Sequence, residues 1–239
     1  MLDLVGTILL TALAVVMVAA LAPSHGAAGV NRTRLGLVLA VWFVVAATLG
    51  LAGAFTSPAL PVGAATGIAV FLPVIVGSVI LARTNGLRIP LVTLVGVHAG
   101  RLLGVNFLVL NAVGRLPWTF AHSAGWGDIV AGALAIPVAL AVQRQVPGWK
   151  WITGIWNVIG MADLLAAVTL AVGSTPGSPL RFIYEAPGSR TLATMPWTMV
   201  PAFFVPLFLL AHIAVFQRLA ASAHTRPDAP RPAAFQPAR

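Results

Sequence analysis

Seven runs of mainly apolar residues divide the chain almost end to end, each about 20 residues long, the length a helix needs to cross a bilayer. They are expected at Leu2–Leu21, Leu35–Phe55, Val62–Leu81, Ile89–Val113, Trp126–Val142, Trp151–Val172 and Met195–Leu219. Lipid offers a backbone no hydrogen-bond partner, so each run is read as a transmembrane helix. The fold class is therefore all-α: a polytopic transmembrane helical bundle of seven helices. Composition supports this, with 59% hydrophobic and only 8% charged residues. The breaks between runs, such as TSPALP, RTNGLR, GRLPWTFAHSAG and QRQVPGWK, hold the turn formers.

The net charge of +9 does not mark a nucleic-acid surface, because the basic residues sit at the ends of apolar runs. One side of the membrane receives Arg32, Arg34, Arg83, Arg88, Arg144, Lys150, Arg218, Arg226, Arg231 and Arg239, and the other only Arg115, Arg181 and Arg190. The asymmetry places the N-terminus outside and the C-terminus in the cytoplasm. A multi-pass protein of the bacterial cytoplasmic (inner) membrane is expected, with the lipid bilayer as its first partner. No motif names an oligomeric state.

The first run, followed by AALAP at 19–23, also has the form of a signal peptide, whose cleavage would leave six helices. Its start, MLD, carries an acid and no Lys or Arg, which favours a retained helix. The domain reading is a single transmembrane domain over 1–219 and a disordered, Pro- and Arg-rich cytoplasmic tail over 220–239. The echo between LPWT at 116–119 and MPWT at 195–198 is explained by Pro in a first helical turn and Trp at the interface.

Few ionisable residues lie deep in the spans, where each costs about 2.5–3.5 kcal/mol or more. Arg101 and Asp163 are each roughly 18 Å from the cytoplasmic start of their helices, at 1.5 Å per residue. Equal depth makes them natural partners, and removing either would leave an uncompensated charge. Asp128 is expected about one turn inside the fifth span, above that pair or capping its helix. His98, Asn106 and Asn157 complete a set of binding or proton-transfer candidates. Gly96, Gly100 and Gly104 form two overlapping GxxxG steps and are expected to pack that face closely on a neighbour.

Four chemistries follow from these residues. GWGD at 125–128 resembles the GxGD signature of intramembrane aspartyl proteases, but Asp128 and Asp163 are expected at different depths, and a dyad needs near contact. His98 and His212 lie at similar depth, so bis-His ligation of haem b is an alternative, the protein then being a membrane electron carrier. Retinal is excluded because the one lysine, Lys150, is at a loop end. There is no cysteine, which removes thiolate and Cys-metal chemistry, and no metal site is expected. The fourth reading is a secondary transporter of a small molecule or ion at a midplane charged site, with no cofactor. Its rival is a non-catalytic membrane subunit whose Arg101–Asp163 pair is a structural latch. No residue set compels an enzyme.

The stretch GRLLGVNFLVLNAVGRLPWTFAHSAGWGDIVAGALA, with the later WNVIGMADLL, resembles an uncharacterised family of bacterial multi-spanning membrane proteins. The resemblance covers roughly 96–172. It implies a polar core of Arg101, Asp128, Asn157 and Asp163, and no activity.

Overall fold

The computed structural model describes residues 1–21, 32–84 and 89–224, and among these it is helical with no strand. Seven helical spans are long and apolar enough to cross a membrane. They are α1 (Leu2–Leu21), α2 (Arg32–Leu51), α3 (Ala64–Arg83), a composite fourth span, α6 (Trp118–Arg144), α7 (Trp149–Gly173) and a seventh ending in α8 (Val205–His224). The fourth span joins α4 (Leu91–Gly96) and α5 (Val105–Ala112) through a 3₁₀ helix, Val97–Gly104. The tail beyond His224 lies outside the described residues, and 220–224, expected in the tail, belong to α8.

The seventh span is the axis of the bundle. Phe203, Phe204, Leu207, Phe208, Leu209, Ala211, His212, Ala214 and Val215 are all buried, whereas α2 and α3 turn most of their surface outward. A π-helical turn, Val200–Phe204, opens this span. Pro206 cannot donate to Ala202 four residues back. That carbonyl instead accepts the indole N–H of Trp42 on α2, at 3.1 Å. The buried stripe Gly6, Leu10, Ala14, Met17 and Leu21 seats α1 on the core. At its head, Asp3 pairs with Arg115 at 2.6 Å and accepts Trp197 Nε1–H at 2.7 Å.

Two expectations change. The fifth span starts at Trp118 and not Trp126, so FAHSAG is helix and not loop. Glu185 makes this possible by taking the exposed donors of the first turn: Thr119 N–H at 2.9 Å and the Thr119 hydroxyl. The extra two turns lower Asp128 from one turn to ten residues below the helix start, about 15 Å. The second change is the 3₁₀ stretch. Eight residues is long for this form, which eclipses positions i and i+3. His98, Arg101 and Gly104 therefore share one row, and all three are buried.

Candidate functional site

Small residues on α6 let the 3₁₀ row approach. Ala121, Gly125, Gly132 and Ala135 are buried along one face, with Asp128 set in the same row. A Cβ on Gly132 would stand 2.8 Å from Leu102 N and 3.2 Å from the Arg101 carbonyl carbon, so only glycine admits this backbone contact. A Cβ on Gly104 would collide with the Asp128 side chain, and one on Gly125 would sit 3.2 Å from Gly104 O. The GxxxG steps do not form one packing ridge. Gly100 faces Leu13 on α1, Gly104 faces α6, and a Cβ on Gly96 would meet nothing within 4 Å among the described residues, because the 3₁₀ twist spreads them around the axis.

Arg101 stands at the centre, its side chain fully buried. Its Nε–H donates to Asp128 Oδ1 at 2.7 Å, and Nη2–H donates to Asp163 Oδ2. Nε and Nη2 form the side-on fork of a guanidinium, the geometry that suits one bidentate carboxylate. Here two aspartates from two helices take it. Nη1–H donates to Gly160 O at 2.9 Å and faces His212 Nε2 at 3.5 Å. His212 Nε2 must therefore present its lone pair and carry its proton on Nδ1. That Nδ1–H meets Asn157 Oδ1 at 2.7 Å, and Asn157 Nδ2–H returns to the His212 carbonyl at 3.1 Å. Gly160 gives this cluster room, since a Cβ there would lie 2.9 Å from His212 Cε1.

The depth gap expected between Asp128 and Asp163 is absent, but the pair is not a protease dyad. Each carboxylate is tied to Arg101, whereas a dyad shares its proton between carboxylates alone. His98 and His212 do meet, with ring centroids 4.0 Å apart and planes 38° from parallel. Haem does not fit this pair: axial ligands stand on opposite faces of the macrocycle, and these rings touch each other directly. Trp156 and Phe208 close around His98, at centroid distances of 5.1 and 5.4 Å. Among the described residues neither nitrogen of His98 has a hydrogen-bond partner. Asn106 turns its amide to Leu103 O at 2.8 Å and borders, with Arg101 and Asp128, a space of about 30 Å³, room for about one water. Among the described residues no group of three or more His, Cys, Asp or Glu could hold a metal.

A cavity of about 420 Å³ opens at the end of the bundle that carries Met1. Thr56, Thr66, Thr175, Ser189 and Arg190 contribute its polar lining. A second space of about 70 Å³ shares Thr66, Ala171, Val172, Leu192 and Pro201 with it and is lined by Asp128. The loop after α7 helps wall the entrance through Thr175 and Arg190, while Phe182 and Tyr184 are exposed and lie outside both linings.

Sequence reasoning missed the α6 glycines that admit the site, Gly125, Gly127 and Gly132. A signal existed: small residues and one aspartate recur every three or four positions from Ala121 to Ala135.

A family described as a domain of unknown function, DUF8737, matches residues 59–220. That is about two-thirds of the chain, from α3 through most of α8, and the chain belongs to this family. No curated protein and no solved structure matches it.

Proposed function

We propose that this member of the family is a secondary transporter of a small molecule or ion in the cytoplasmic membrane of a bacterium, with Asp128 and Asp163 as working carboxylates and Arg101 as their fixed counter-charge. One observation supports the reading: two cavities with five lining residues in common lie between the Met1 end and Asp128, which lines the inner one. Beyond Arg101, His98, His212, Trp156 and Phe208 pack against one another. The arginine asymmetry puts the Met1 end outside. A midplane site open to one side and plugged on the other is the resting geometry of alternating access.

One observation favours the latch instead: all three guanidinium nitrogens are bonded and the side chain is fully buried. The absence of cysteine makes the test clean. Ala167 lines the inner space beside Asp128. An Ala167→Cys variant should react with a membrane-impermeant thiol reagent added outside intact cells. It should react again, more slowly, in inside-out vesicles. A Val95→Cys control, at a fully buried position, should stay unlabelled. No reaction of Ala167→Cys from either side would leave the latch.

A further inference from the structure

We propose that the ion coupled to this site is a proton, and that Asp163 carries it. The proposal rests on the transport reading above and names the coupling ion of the same site.

The first argument is charge. One guanidinium faces two carboxylates on a single fork, so the fully ionised cluster holds one surplus negative charge inside the membrane. An uncompensated charge there is costly, and one bound cation removes it. The second argument is the unused oxygens. Asp128 bonds through Oδ1 and Asp163 through Oδ2, and the second oxygen of each has no hydrogen-bond partner among the described residues. A metal cation takes a shell of several oxygens. Two free carboxylate oxygens do not make one, but either can hold a proton.

Asp163 is the better carrier. Its side chain is 21% exposed against 13% for Asp128. Its free Oδ1 rests in a niche that exists only because residue 127 is glycine, since a Cβ there would overlap that oxygen. Ile159, four residues before Asp163 on α7, and Trp126 and Val130, on either side of Gly127 and Asp128 on α6, are exposed. The groups facing it are Arg101 from the 3₁₀ helix, Asp128 from α6 and, beyond the guanidinium, His212 from α8.

A second buried titratable group, His98, lies beside the same cluster. It is fully buried, shares a row with Arg101 and lies tilted against His212, with neither ring nitrogen bonded among the described residues. A buried polar group without a partner calls for a reason.

The test is modification of the wild-type protein in liposomes with dicyclohexylcarbodiimide, mapped by peptide mass spectrometry. A protonated carboxyl adds across the reagent's C=N bond and rearranges to a stable N-acylurea with nothing lost, and a carboxylate does not. The adduct should fall on Asp163, decline as pH is raised, and vanish in Asp163→Asn. No adduct on Asp163, an adduct independent of pH, or equal labelling of Asp128 would overturn the proposal. If Ala167→Cys reacts from both sides while Asp163 stays unmodified, the transport reading stands and the proton assignment falls. If Asp163 is modified while Ala167→Cys reacts from neither side, the carboxyl is protonated inside a latch, and the coupling is overturned.

Discussion

Charge balance around Arg101 sets an order of stability that an isolated ion pair would not. If Arg101 and Asp163 were alone, Asp163→Asn would strand a guanidinium at mid-bilayer, and neutralising both residues would rescue the protein. The structure supplies a second carboxylate, Asp128, on the same guanidinium at 2.7 Å. Asp163→Asn then leaves one cation and one anion, a neutral pair, and the asparagine oxygen still accepts from Nη2. Its expected effect is about 1.5 kcal/mol or less, the scale of one hydrogen bond. Asp128→Asn should behave alike. The double variant Asp128→Asn/Asp163→Asn strands the guanidinium and should cost about 3–5 kcal/mol. For a chain of this size that is a fall of about 6–20 °C in melting temperature. Adding Arg101→Gln to the double variant removes the orphan charge and should recover most of the loss. Arg101→Gln/Asp163→Asn, the rescue an isolated pair predicts, should be worse than Asp163→Asn alone, because Asp128 is then unpaired. Melting in lipid nanodiscs, followed by tryptophan fluorescence, reads all five variants. Asp163→Asn alone being as damaging as the double aspartate variant would refute the three-residue cluster.

Gly132→Ala places a Cβ 2.8 Å from a backbone nitrogen that cannot step aside, and it should destabilise by about 1–3 kcal/mol in the same assay; a neutral result would mean that α6 and the 3₁₀ helix are less tightly joined. Hydrogen bonds from the Thr119 hydroxyl and backbone hold the Glu185 carboxyl below its ordinary range, so its cap on α6 stabilises above the unfolded-state value and is lost as pH falls through the lower folded one. Glu185→Gln should thus lower the melting temperature near neutral pH and converge with wild type in acid, and a constant gap across pH would sink the capping account. A reporter active only in the cytoplasm should be active when fused after Arg239 and silent when inserted at Gly177; the opposite pattern reverses the orientation and the side from which the cavity opens.

The chain announces its architecture because the bilayer imposes a one-dimensional rule: any apolar run of sufficient length must be a helix, whatever surrounds it. Hence the seven spans and the shared depth of Arg101 and Asp163 could be read from spacing alone. Depth, however, depends on where a helix begins. The start of α6 was misplaced because its cap, Glu185, lies 66 residues away from Thr119 in sequence and joins it only in the folded protein. The 3₁₀ form of Val97–Gly104 was equally invisible, since apolar composition is indifferent to 3.0 or 3.6 residues per turn. That form decides that His98 and Arg101 share a row and that the three GxxxG glycines do not. Which carboxylates reach one guanidinium, and which imidazole packs against which, are set by how α6, α7 and α8 pack around that row. Linear spacing carries no rotational or neighbour information between helices, so only the tertiary structure could turn a pair of charges into a cluster of three.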